Sequence, residues 1–177
     1  MRLFFGLSLP DEIRNATAEC ARAAQRMIPG RYALPENHHI TLAFLGDVPE
    51  ERLRDAQRVL ERCISFPAPR LTLQGFSHFG RAENGILILR VKSEPALDGL
   101  HEVLLGALEA EGLPADRGPF SPHITLARHA RVGEDFPPCP ALSFTAGQAH
   151  VYLSARDEEN ILRYTPLYTV SLGHSAF

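Results

Sequence analysis

Nowhere in this chain is there an apolar run near the ~20 residues that a bilayer crossing requires, so a helical membrane span is excluded. Cysteine is scarce. Cys20, Cys63 and Cys139 are far apart, odd in number and form no C-x-x-C pair, which argues against a disulfide framework and against a structural zinc site. A reducing compartment, the cytoplasm, is the expected setting. No sign of charge dominates: 18 Lys+Arg stand against 21 Asp+Glu. A chain of that balance does not wrap duplex nucleic acid by charge alone. Any action on nucleic acid is expected at an end or a small fragment. The apolar opening, residues 1–10, is too short for a signal segment, and Asp11 and Glu12 follow it directly.

What is present suffices for a folded unit. Hydrophobic residues make up 45% of the 177 and charged residues 22%, enough for one sizeable core or two small lobes sharing one. Residues 1–177 are read as one bilobal domain. Residues 2–9 read as a strand. Pro10-Asp11-Glu12 opens a helix that the pattern carries to about Met27, where Pro29-Gly30 stops it. A second helix is expected over 49–64, with Leu53, Ala56, Val59, Leu60 and Cys63 on one stripe. Strand-like runs at 71–74 and 86–91 flank what reads as a loop with Gly75, Gly80 and Gly85. A third helix is expected over 94–111, and two closing strands near 148–153 and 161–172. Helices mixed with hairpin-like strands point to an α+β chain with antiparallel sheets.

The most informative feature is internal. His-Ile-Thr-Leu occurs at 39–42 and again at 123–126, a separation of 123 − 39 = 84 residues. Each copy follows a proline-containing loop and reads as a strand with its His and Thr on one face. Two copies suggest duplicated lobes whose motif strands face each other about a pseudo-two-fold axis. Two imidazoles and two hydroxyls would then converge. Histidine titrates near neutrality, so one can act as base while the other acts as acid. That pair suits in-line displacement at phosphorus, with water as nucleophile and the departing oxygen protonated. Thr41 and Thr125 can donate to the non-bridging oxygens, where charge builds up. No metal or other cofactor is called for, and a cyclic phosphate suits the site because its leaving oxygen stays tethered. A zinc site on the same two histidines lacks an acidic or Cys partner at ligand spacing.

The other histidines, His38, His78, His101, His129, His150 and His174, read as structural or surface residues. Arg128 ends the second motif and could hold a phosphate, but strict alternation puts it on the face opposite His123 and Thr125; its role requires the strand to end or bulge there. Tyr32 and Phe79 are the aromatic residues best placed to stack on a base, in loops; Tyr152 is a further candidate, and Phe5 reads as core.

With its two His-x-Thr motifs the chain resembles the 2H phosphoesterase superfamily, and more closely the RNA 2',3'-cyclic phosphodiesterases, also called 2'-5' RNA ligase-like (LigT/ThpR) proteins. The opening Arg2-Leu3-Phe4-Phe5-Gly6-Leu7-Ser8-Leu9-Pro10, the run Pro35 to Gly46, the run Pro122 to Arg128 and the tail from Val151 through Tyr164 carry the resemblance over essentially the whole chain. It implies two antiparallel sheets facing a central cleft, with helices outside. It implies hydrolysis of an RNA or nucleotide 2',3'-cyclic phosphate end to a 2'-phosphomonoester, without a cofactor, membrane or obligate protein partner, by a monomer. His39 would be the proton donor to the 3'-oxygen, His123 the acceptor that activates water, and Thr41 and Thr125 phosphate ligands. The family often carries a tryptophan shortly before the first motif. This chain has none and offers Tyr32 there. Two other readings use the same cleft: 2'-5' RNA ligation, and a non-catalytic nucleotide- or RNA-binding module.

Overall fold

The computed structural model describes residues 1–92 and 94–173. His174, set aside above, lies outside the described residues. Nine strands and three α-helices follow one another as β1 (Arg2–Ser8), α1 (Asp11–Gln25), β2 (Arg31–Tyr32), β3 (His39–Asp47), α2 (Leu53–Glu61), β4 (Arg70–Arg81), β5 (Asn84–Val91), α3 (Pro95–Ala110), β6 (His123–Ala130), β7 (Ser143–Thr145), β8 (Gln148–Arg156) and β9 (Leu162–Ser171). They form two sheets, ordered β3-β1-β8-β9 and β2-β6-β5-β4-β7, in which every pair is antiparallel.

The duplication is visible in this topology. With β2 set aside, β3-β1-β8-β9 matches β6-β5-β4-β7 strand for strand. Each motif strand follows a helix and pairs with the strand before that helix. In the first sheet Ser8 lies opposite His39 and Gly6 opposite Thr41. In the second, Arg90 lies opposite His123 and Ile88 opposite Thr125.

The sheets share one core. Leu3, Phe5 and Leu7 of β1, Leu87 and Leu89 of β5, and Leu97, Leu100, Leu104 and Leu108 of α3 are all buried in a single apolar cluster. Period-two alternation turns Phe4 to the other face of β1, where its ring lies against His39, Phe44, Tyr152 and Tyr164. Phe5 is core, as its sequence position implied.

Several boundaries differ from the sequence pattern. The stretch with Gly75 and Gly80 is not a loop. β4 runs through it to Arg81 and turns back at once into β5. A register shift between Leu73 and Phe76 absorbs Gly75, whose φ of +92° suits a residue without Cβ. The second helix is shorter than its stripe, because residues 50–52 form a 3-10 turn behind Pro49 before α2 begins at Leu53. The two-residue β2 and three-residue β7 escaped notice because neither is long enough to show a period. Cys20 and Cys139 also meet, their Sγ atoms hydrogen-bonded at 3.3 Å across 119 residues of chain.

Candidate active site

The bottom of the cleft is built from the two motif strands. β3 and β6 approach each other from opposite sheets. His39, Thr41, His123 and Thr125 line one cavity of about 780 Å³, within the range of sites that take small molecules.

Each imidazole is fixed by the chain two residues before it. His39 Nδ1–H donates to the carbonyl of Asn37 at 2.7 Å, and His123 Nδ1–H donates to the carbonyl of Ser121 at 2.8 Å. A carbonyl can only accept, so both rings carry a proton on Nδ1, and Nε2 is the atom free for chemistry. In the neutral ring, His39 Nε2 accepts from the Thr41 hydroxyl at 2.9 Å. Asn37 is itself buried, its side chain donating to the Leu162 carbonyl at 2.8 Å and accepting from the Tyr164 N–H at 3.0 Å. It ties the loop before His39 to β9. The sequence signal was the position two before each histidine.

The two rings sit in different surroundings. His39 rests among Phe4, Tyr152 and Tyr164, at 4.8, 5.8 and 5.1 Å between centroids. Burial is the main cause pushing its pKa down to about 4; the Asn37 carbonyl opposes this, while His123, His38 and Arg128 push it further down. His123 meets the edge of Phe79 at 4.8 Å. Its pKa is lowered as well, first by burial and then by Arg128, against the pull of the Ser121 carbonyl. With both values lowered, both rings are neutral at pH 7. An anion lying between them favours protonation and raises both values.

Arg128 reaches the cavity because β6 bulges. Leu87 lies opposite Ala127, but the next residue, Ile88, lies opposite Thr125, so Leu126 is an extra residue. Leu126 and Ala127 are accordingly both buried, and the alternation resets. Arg128 then falls on the face of His123 and Thr125 and lines the cavity. The same bulge is present in the first lobe. Phe5 lies opposite Ala43 and Gly6 opposite Thr41, leaving Leu42 extra. Phe44, the counterpart of Arg128, thereby lines the cavity too. Both bulge carbonyls are held from elsewhere in the chain. The Leu42 carbonyl accepts from His101 Nδ1–H of α3 at 2.8 Å, and the Leu126 carbonyl accepts from the Ala33 N–H at 2.8 Å. His101, set aside in the sequence as a background residue, is thus a brace across the lobes, its ring stacked on Phe120 at 4.0 Å. Nothing in the local sequence marked it.

Tyr32 and Phe79 line the cavity. Tyr32 is held by its hydroxyl, which donates to the Ile28 carbonyl at 2.9 Å. Tyr152 is buried beside His39 and stacked on Phe4, and it does not line this cavity. His129 also lines the cavity, whereas His150 is buried between the hydroxyls of Ser8 and Thr169, each at 2.8 Å. Among the described residues, Arg31, Arg128 and Arg156 line the cavity against a single carboxylate, Asp116, which makes it a site for anions. Among the described residues no three His, Cys, Asp or Glu side chains group to hold a metal ion.

The model of the 2'-5' RNA ligase superfamily matches residues 9–134. The RNA 2',3'-cyclic phosphodiesterase of Escherichia coli K12 is 32% identical over 94% of this chain and 93% of its own length. That of Geobacillus stearothermophilus is 32% identical over 91% of this chain, which spans only 54% of that longer protein. In three dimensions, the crystal structure of E. coli LigT complexed with 3'-AMP superimposes with a TM-score of 0.78 at 32% identity, covering 98% of both chains.

Proposed function

We propose, from the premise that this chain belongs to the 2'-5' RNA ligase superfamily, that it is an RNA 2',3'-cyclic phosphodiesterase working by two-histidine acid–base catalysis. The observation that carries the reading is the matched pair of imidazoles. Each is locked by Nδ1 to a backbone carbonyl, and both line one cavity with two threonines and Arg128.

In the reaction, His123 Nε2 takes a proton from water as the oxygen attacks phosphorus. His39 Nε2–H gives a proton to the departing 3'-oxygen. The P–O3' bond breaks, and the products are a 2'-phosphomonoester and a free 3'-hydroxyl. Thr41, Thr125 and Arg128 hold the non-bridging oxygens, where charge accumulates. Tyr32 and Phe79 serve the terminal base. The direction of proton transfer follows the family resemblance. The chain acts as one bilobal unit in the cytoplasm, without a protein partner or cofactor.

The test is hydrolysis of an oligoribonucleotide ending in a 2',3'-cyclic phosphate, with EDTA present. A 2'-phosphate product is expected. Strict dependence on added metal, or a 3'-phosphate product, would contradict the reading. A second arm adds a strand with a 5'-hydroxyl, because the superfamily is described as one of 2'-5' RNA ligases. A 2'-5' junction there would show that the same site also runs toward ligation.

The pH profile is a second expected result. Productive binding needs one imidazole protonated and the other neutral. In the free chain His39 titrates at about 4 and His123 below its ordinary 6.5. The bell in kcat/KM is therefore centred acid of pH 6.5, whichever ring gives the proton. Bound phosphate raises both values, so the kcat optimum lies alkaline of the kcat/KM optimum. A kcat/KM profile flat from pH 5 to 8 would overturn the acid–base pair.

A further inference from the structure

Arg31 is the one cavity-lining cation at the sheet edge beside Arg128, and the function above does not use it. β2 pairs with β6 so that Arg31 lies directly opposite Arg128. Side chains directly opposite in an antiparallel pair share a face with Cβ atoms about 5 Å apart, and like charges so placed repel. Both guanidiniums are exposed and both line the cavity. Neither forms a hydrogen bond or an ion pair with another described residue. The position therefore carries two uncompensated positive charges, and an anion between or beside them would relieve the repulsion.

We infer that Arg31 binds the phosphodiester on the 5' side of the terminal nucleotide and makes the enzyme selective for RNA chains over mononucleotides. This inference rests on the proposed cyclic-phosphate chemistry. The reacting phosphate offers only two non-bridging oxygens, and Thr41, Thr125 and Arg128 already supply more than enough donors for them. Arg31 sits one strand farther out. The substrate ends at its cyclic phosphate, so a second anionic group exists only toward the 5' end. Guanidinium is suited to hold it with two parallel N–H bonds. A phosphate contact carries no base preference, so the selectivity is for chain length and not for sequence.

The experiment compares adenosine 2',3'-cyclic phosphate with a diadenylate ending in the same cyclic phosphate, on wild type, Arg31→Gln and Arg31→Lys. Wild type is expected to prefer the dinucleotide. Arg31→Gln is expected to reduce that preference about tenfold through KM, equivalent to ~1.4 kcal/mol, with Arg31→Lys intermediate. The slope of log(kcat/KM) against log salt for the dinucleotide should shrink by about 0.7, the loss of one single-strand phosphate contact. Thermal melting at low salt should also show Arg31→Gln more stable than wild type, because the facing charges are removed. Equal losses on both substrates would place Arg31 at the reacting phosphate and overturn the proposal. An unchanged ratio would overturn it too. Calorimetric titration with adenosine 2'-phosphate and with a diadenylate ending in a 2'-phosphate, both with a free 5'-hydroxyl, gives a reading independent of turnover. If wild type cleaves neither cyclic substrate, yet prefers the diadenylate tenfold through Arg31, the catalytic reading fails and the subsite stands.

Discussion

Asparagine in place of His39 or of His123 is expected to lower kcat by about 10²- to 10⁴-fold, the range that one positioned acid or base contributes. Asparagine suits the test because its amide can still donate to the Asn37 or Ser121 carbonyl, so the backbone before each motif keeps its partner. What it lacks is the titrating Nε2. The double variant is expected to lose little more than the poorer single one. Acid and base act in one transition state, and removing either ends concerted proton transfer. KM should move far less than kcat, since Thr41, Thr125 and Arg128 remain to hold the phosphate. Single-turnover hydrolysis of the cyclic-phosphate oligonucleotide measures this. Wild-type turnover by either single variant would refute the two-histidine mechanism.

The second large effect comes from a residue that touches no substrate. Gly6 of β1 lies opposite Thr41, beneath the first histidine. A Cβ added there would stand 3.0 Å from the Ile40 carbonyl oxygen, 3.2 Å from His39 Cδ2 and 3.3 Å from Tyr152 Cε2. The Ile40 oxygen is backbone, and Tyr152 is buried against Phe4, so the His39 ring is the neighbour that has to give. The ring has to give by a few tenths of an ångström. Because a displacement of about 1 Å at a reacting group can cost about 10²-fold in rate, Gly6→Ala is expected to lower kcat roughly 5- to 10-fold while the protein stays folded at 25 °C. Gly46→Ala is the control. Gly46 has φ +73° and no atom within 4 Å of an added Cβ, so the change strains the backbone and costs about 1 kcal/mol of stability without touching His39. A Gly6→Ala enzyme within twofold of wild-type kcat would show that the histidine tolerates the shift.

The duplicated tetrapeptide announced the chemistry and the two-lobed, antiparallel design. The helices were legible because α1 and α3 carry apolar stripes over four turns or more. Gly6 was read only as part of an opening strand. Its role depends on which residue of β3 it faces, and that register is set by pairing across the sheet.

The sequence by itself determined which side chains are the candidates for the proposed chemistry. His39, Thr41, His123 and Thr125 follow from residue identity and a period of two, both local properties of the chain. The tertiary structure decided where the alternation breaks. The bulges at Leu42 and Leu126 exist only because β3 and β6 must pair with β1 and β5 while their extra carbonyls find partners in His101 and Ala33. Those partners lie 59 and 93 residues away along the chain (101 − 42 and 126 − 33), beyond the reach of any local pattern. By resetting the alternation, the second bulge brings Arg128 round to the cavity side, and the pairing of β2 then sets Arg31 beside it.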